Sequence, residues 1–235
     1  MSNDDLHLQV FINPLAFLPL LVPSHNTASP EPSAESVLEF LCAPGMDSSV
    51  AAIVGRYREI SATPEPHFAP AVERVLDKLI WPLRYAKGAY ILGNYLGTIT
   101  HCGMVAEMLA ILTFEMAEPK LNGEGMTDRS QKDLFGRSFE KLGQERRVSI
   151  LYAYGMIDDD LKRSFDRIRT IRREYLHQWS KDIGKLSTDA VDCYEHAVKI
   201  VDFVLGQTIR DGKVVLEPKL TRYLRAQGVL VAAGD

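Results

Sequence analysis

Residues 158–177 read DDDLKRSFDRIRTIRREYLH. Leu161, Phe165, Ile168, Ile171 and Tyr175 recur at i, i+4, i+7, i+10 and i+14, the period of an α-helix with one apolar stripe. The aspartates at 158–160 suit its start, where the positive end of the helix dipole favours acids. Such a helix must bury its stripe against other elements, and the flanking sequence offers helices on both sides. Upstream, 146–154 reads as a helix ended by Gly155, with another over 130–142. Downstream, Ser187 or Thr188 starts a long helix with Val191, Tyr194, Val198, Val201, Val204 and Leu205 on or near one face. Further upstream, Val105, Met108, Leu109, Leu112 and Met116 keep one face of a helix over 99–117. Its small residues Gly103, Ala106 and Ala110 allow a neighbour to approach closely. Val72, Val75, Leu76, Leu79 and Ile80 begin a helical pattern that runs to Tyr95, with Pro82 kinking or restarting it.

The fold class is therefore all-α, an antiparallel helical bundle over 63–210. Residues 1–62 form an acidic, mostly irregular extension with small helices: a weak strand at 6–12, a Pro/Ser/Ala-rich linker at 24–36, a short helix capped by Ser33 and a second capped by Asp47 that ends at Ile60. Pro64, Pro66 and Pro70 mark the boundary with the bundle. Residues 119–128 have the Gly and Asn of a loop. Residues 211–235 hold the Asp211-Gly212 signal of a short C-terminal β-hairpin, then a short helix from Pro218 and a small apolar tail.

A chain of 235 residues builds an adequate core without disulfides or a structural metal. Cys42, Cys102 and Cys193 are odd in number and scattered, which points to a reducing, cytoplasmic setting. The apolar run 10–22 lacks a basic leader, is broken by Pro14 and Pro19, and is shorter than the ~20 residues of a helical span. It is expected to pack on the body of the protein, and no other stretch is expected to enter a membrane. The net charge of −4 excludes a wholesale nucleic-acid coat, yet it is unevenly spread. Residues 1–55 contain six acids and no Lys or Arg, whereas 162–181 carry a net charge of +5. A local basic patch of that kind holds an anion without making the whole chain basic.

Within that patch Arg169, Arg173 and His177 fall at i, i+4 and i+8, on one stripe of a continuous helix. Guanidiniums grip phosphate oxygens bidentately, and an imidazole moves a proton near neutral pH. Neighbouring cations favour its neutral form, the one a general base needs. The plainer alternative for the same residues is a solvated basic face. Other groupings are thinner. His101-Cys102 and Cys193…His196 fall short of the three or four ligands of a metal site, 158–160 suits helix capping, and no phosphate-cradling Gly loop, nucleophile elbow or dinucleotide fingerprint occurs. No metal and no cofactor are expected.

Arg172-Arg-Glu-Tyr-Leu-His177, near the end of one helix and followed by another, has the form Arg, four residues, His. It resembles the motif of the HEPN superfamily. Ile150-Leu-Tyr-Ala-Tyr-Gly-Met-Ile157 looks like the short helix and Gly turn that precede that motif, and the phrase is also similar to the mannitol operon repressor group of the same fold. The resemblance covers about 69–207. It implies an all-helical bundle, a homodimer whose two protomers share the site, and RNA as partner for members that are metal-independent endoribonucleases, some with toxin or defence roles. A toxin of this kind implies a protein regulator or antitoxin as a further partner, and other members are inert regulators that bind a protein or a nucleic acid. Carried over, the resemblance makes Arg172 the residue that binds or polarises the scissile phosphate and His177 the acid or base, with Arg173 as a phosphate contact; Arg169 is expected as a further phosphate contact from its place on the basic stripe. The family most often has Asn where this chain has Arg173. Glu107, an acid in an otherwise apolar helix, is expected either to orient an arginine of the motif helix or to face solvent. Arg172 and His177 lie about 140° apart on an ideal helix, so a bend, their long side chains or the partner protomer must bring them together.

Overall fold

The computed structural model describes residues 33–64, 76–177, 182, 184–206, 208–210, 213–215 and 217–228. The strand expected at 6–12, the run 10–22, most of the linker 24–36, the helical pattern over 69–75, the Asp211-Gly212 turn and the last residues of the tail lie outside them.

The chain is mostly helical, as the periodicity requires. Two short helices, α1 (Ala34–Leu41) and α2 (Val50–Ile60), come first. Ser33 caps α1, as expected. Ser49 caps α2 in place of Asp47, whose carboxylate accepts from the Ser49 amide at 2.8 Å. The extended φ/ψ of a cap falls on the residue adjoining the first turn, and Asp47 is two residues too early. Arg56 of α2 is buried and fastens this segment to the bundle, donating to Ile91 O at 2.7 Å and Asp47 O at 3.0 Å.

A π-turn (Leu76–Ile80) leads into α3 (Trp81–Ile91). Pro82 lies in the first turn of α3, where its missing N–H costs nothing, so it restarts the helix and does not kink it. Three residues then lead to α4 (Tyr95–Ala117), which begins four residues before the expected Ile99 because Asn94 accepts from the Gly97 amide at 2.9 Å. Residues 119–128, read as loop, contain a two-residue hairpin, β1 (Lys120–Leu121) paired antiparallel with β2 (Glu124–Gly125). Asn122 and Gly123 supply the positive φ angles of its turn. The helix expected over 130–142 divides. Gly136, at φ 79°, ends α5 (Asp128–Phe135), and a 3-10 turn (Phe139–Lys141) follows. Then come α6 (Gln144–Ala153), α7 (Asp159–His177) and α8 (Leu186–Leu205). Strands β3 (Thr208–Arg210) and β4 (Lys213–Val215) pair antiparallel before α9 (Pro218–Ala226).

Helix α4 is the centre of the molecule and packs against α3, α6, α7, α8 and α9. Ten of its residues are buried, among them Ile99, Val105, Leu109 and Phe114. Helix α4 is long and apolar enough to cross a membrane by length and composition, contrary to the expectation that no stretch beyond 22 would be; half of its most apolar window is buried in this bundle. Leu161, Phe165, Ile168 and Ile171 of α7 are all buried, and so are Tyr194, Val198, Val201, Val204 and Leu205 of α8. The stripes that define these helices are the surfaces that join them. At the far end of α4, the ring of Phe139 stacks on Phe114, with centroids 3.9 Å apart and planes at 6°.

Candidate functional site on the arginine face of α7

Arg172 comes four residues after Ile168 and seven after Phe165, which places it on the inner side of α7, among core residues. It is tolerated there because α4 presents Gly103 to it. A Cβ built at Gly103 would stand 2.6 Å from Arg172 Cδ. The arginine stem therefore lies across the α4 backbone, and its guanidinium donates from Nη1 to Glu107 Oε1, one turn further along α4. Both side chains remain about one-third exposed (34% each). The pair is thus wet enough to respond to a ligand and enclosed enough to fix the arginine. Arg172 Nε is buried with no hydrogen-bond partner among the described residues. Glu107 therefore pairs with Arg172 while staying in contact with solvent.

One turn back, Arg169 donates from Nη1 to Glu145 Oε2 on α6 at 2.8 Å and lies 3.7 Å from Asp166 Oδ1. Its Nε is likewise buried and unpaired among the described residues. Gln144, at the start of α6, donates to Ala106 O at 3.3 Å and ties that helix to the floor. Arg173 is exposed and forms no ion pair among the described residues. Arg169, Arg172 and Arg173 all line one groove of about 460 Å³, floored by Gly103 and Ala106 and bounded by Glu107 and Glu145. Three cations face two carboxylates there, so the groove keeps a net positive charge. His177 is the last residue of α7, one turn beyond Arg173 along the helix. Its side chain lies outside the described residues, and with it the expected meeting of Arg172 and His177.

Sequence reasoning missed a polar seam between α7 and α8. Tyr175 donates to Asp189 Oδ2 at 2.6 Å. Arg167 donates to Asp189 Oδ1 at 3.2 Å and to Asp192 Oδ2 at 2.6 Å. His196 Nε2 lies 3.3 Å from Asp192 Oδ1, and His196 Nδ1 lies 3.1 Å from Ser164 Oγ. Asp189, Asp192 and His196 at i, i+3 and i+7 were the available signal. A neutral imidazole with its proton on Nε2 donates to Asp192, and its Nδ1 accepts from the Ser164 hydroxyl only when that hydroxyl turns away from Asp160 O, to which it otherwise donates at 3.1 Å. The order Ser–His–Asp resembles a nucleophile relay, but Ser164 is wholly buried and cannot meet a substrate. The seam joins two helices.

Burial holds His196 below its ordinary value of 6.5 against the pull of Asp192, with Lys199 and Arg167 adding to the lowering. A lowered folded-state value means that the unfolded chain binds the proton more readily, so stability rises with pH across the window below 6.5. The contribution is complete above 6.5 and is lost as the pH falls through the folded value. Wild type is therefore expected to lose more stability than His196→Gln between pH 7.5 and pH 5, read as the shift in urea midpoint. Equal shifts would show that His196 does not titrate on folding.

Among the described residues no three His, Cys, Asp or Glu side chains gather as a metal site. His101 Nδ1 is 2.7 Å from Gly97 O, and its ring lies beside Tyr85. Cys102 and Cys193 are buried neighbours, and burial together with Cys193 pushes the Cys102 thiol up. Compared with known proteins, the chain matches no family model, no curated protein and no solved structure.

Proposed function

We propose that this protein is a metal-independent endoribonuclease of the HEPN type, working as a cytoplasmic homodimer on RNA. The observation that carries the reading is the groove in which Arg169, Arg172 and Arg173 converge, with Arg172 laid over Gly103 and held by Glu107. A preorganised guanidinium offsets charge as it develops on phosphorus without reorganising at the moment of reaction. In the reaction, a ribose 2′-oxygen attacks the adjacent phosphorus and the bond to the 5′-oxygen of the next nucleotide breaks. The products are a 2′,3′-cyclic phosphate and a free 5′-hydroxyl. His177 takes the 2′-hydroxyl proton or supplies one to the leaving oxygen. Arg172 and Arg173, which forms no ion pair among the described residues, bind the non-bridging oxygens. Glu107 acts through Arg172 and is a positioning residue.

One observation favours a second reading, a non-catalytic regulator. Arg169 and Arg172 already hold carboxylates, which leaves Arg173 as the only one of the three without one among the described residues. A mixed RNA pool incubated in excess EDTA with wild type, His177→Ala and Arg172→Ala separates the two. Cleavage by wild type, lost in both variants, is the expected result. RNA retention without cleavage by any of the three would establish the regulator.

A further inference from the structure

The outer ridge of α7 carries a second cationic groove on its other flank, toward α8. Asp160, Arg163, Arg167, Thr170, His196 and Lys199 line a space of about 510 Å³ there. Its charges divide into fixed and available ones. Arg167 is locked by Asp189 and Asp192 and forms a wall. Asp166, also at the rim, is engaged by Lys162 at 2.7 Å. Among the described residues Arg163 pairs only with Asp160, and both side chains are mostly exposed, at 69% and 60%. An exposed pair of this kind is worth little and exchanges readily for a better acceptor. Lys199, exposed on α8, forms no ion pair among the described residues. Thr170 adds an exposed hydroxyl to the lining. Available cations thus outnumber available acids.

The position of this groove matters as much as its charge. Beyond the first turn of α7, the exposed residues among its described side chains are Arg163, Thr170 and Arg173. Ten residues separate the two arginines, about 15 Å at 1.5 Å of rise per residue. At the duplex rise of about 3.4 Å per nucleotide of one strand, that is roughly four stacked nucleotides, and fewer for an extended strand.

We infer that the groove between Arg163 and Lys199 is a second phosphate subsite. It holds a single RNA strand that runs along the ridge of α7 with another of its phosphates at Arg173. The inference rests on the RNA reading above and assigns that site a substrate class, a short unpaired strand. Single strands are commonly held in this way, by a basic track that follows the backbone irrespective of sequence.

The test is binding of a fluorescent 12-nucleotide 2′-O-methyl RNA, which cannot be cut, measured in EDTA over a range of salt. The double variant Arg163→Ala/Lys199→Ala is expected to bind three- to tenfold more weakly. Its salt dependence should be shallower by about 0.7 for each phosphate it no longer neutralises. Lys199→Arg should bind as wild type does, and so should Arg222→Ala, which removes an exposed charge on α9 outside the groove. Circular dichroism establishes that each variant is folded. If the double variant binds with wild-type affinity and slope, or if Arg222→Ala weakens binding equally, the subsite is wrong while the RNA reading stands. If wild type does not bind the strand at all, the RNA reading fails and the subsite falls with it.

Discussion

Gly103→Ala is expected to lower RNA cleavage about a hundredfold while leaving the protein as stable as wild type or more so. The added methyl would stand 2.6 Å from Arg172 Cδ, a distance that real contacts do not tolerate, so the arginine stem must move. The moving part is the outer portion of a flexible side chain, and the α4 backbone stays in place. Alanine is also the better helix former, by about 1 kcal/mol in a helix interior. Arg172 then loses its bond to Glu107 and its fixed approach to the groove. A misplacement of about 1 Å is enough to cost a factor of about a hundred in rate. Two measurements check this, the melting temperature and the single-turnover cleavage rate. Unchanged cleavage with a displaced Arg172 would remove that residue from the chemistry.

Phe139→Ala is expected to cost roughly 3–5 kcal/mol of stability. Its ring is 2% exposed and stacked on Phe114 of α4. Its backbone is used on both sides: the amide donates to Gln131 Oε1 at 2.8 Å, and the carbonyl accepts from Arg147 Nε at 3.3 Å. Arg147 is itself buried, so loosening the 3-10 turn also loosens the surroundings of a buried cation. Small domains have roughly 5–15 kcal/mol in all, so the destabilisation should appear as a large fall in urea midpoint. A change below about 1 kcal/mol would mean that the site collapses around the missing ring or that this end of α4 is already loose.

The bundle could be read from the sequence because its helices announce themselves locally. The stripe Leu161, Phe165, Ile168, Ile171 is a property of α7 alone, and it needs no knowledge of the partner helix to be recognised. Gly103 is different. Its smallness was legible as permission for a neighbour, but the neighbour is an arginine, and nothing near Gly103 in the chain says so. That pairing depends on the register of α4 against α7, which only the packed structure fixes. The same holds for Glu107, whose partner could not be told from the sequence alone. The seam of Arg167, Asp189, Asp192 and His196 was missed for a related reason, since its charges lie on separate helices and each reads as ordinary surface. The errors at helix ends are more local. Ser49 in place of Asp47, and the stop at Gly136 inside an expected helix, turn on single backbone angles that apolar periodicity does not encode.

A nuclease of the proposed kind cuts RNA through the substrate's own 2′-hydroxyl and needs no metal ion. Two random-sequence pools in excess EDTA, one RNA and one fully 2′-O-methylated, followed by analysis of the product ends, put both features to the test at once. Cleavage of the first pool only, with 2′,3′-cyclic phosphate and 5′-hydroxyl termini, is the expected result. Cleavage of both pools, termini carrying a 5′-phosphate, or an intact RNA pool in the presence of folded protein would contradict it.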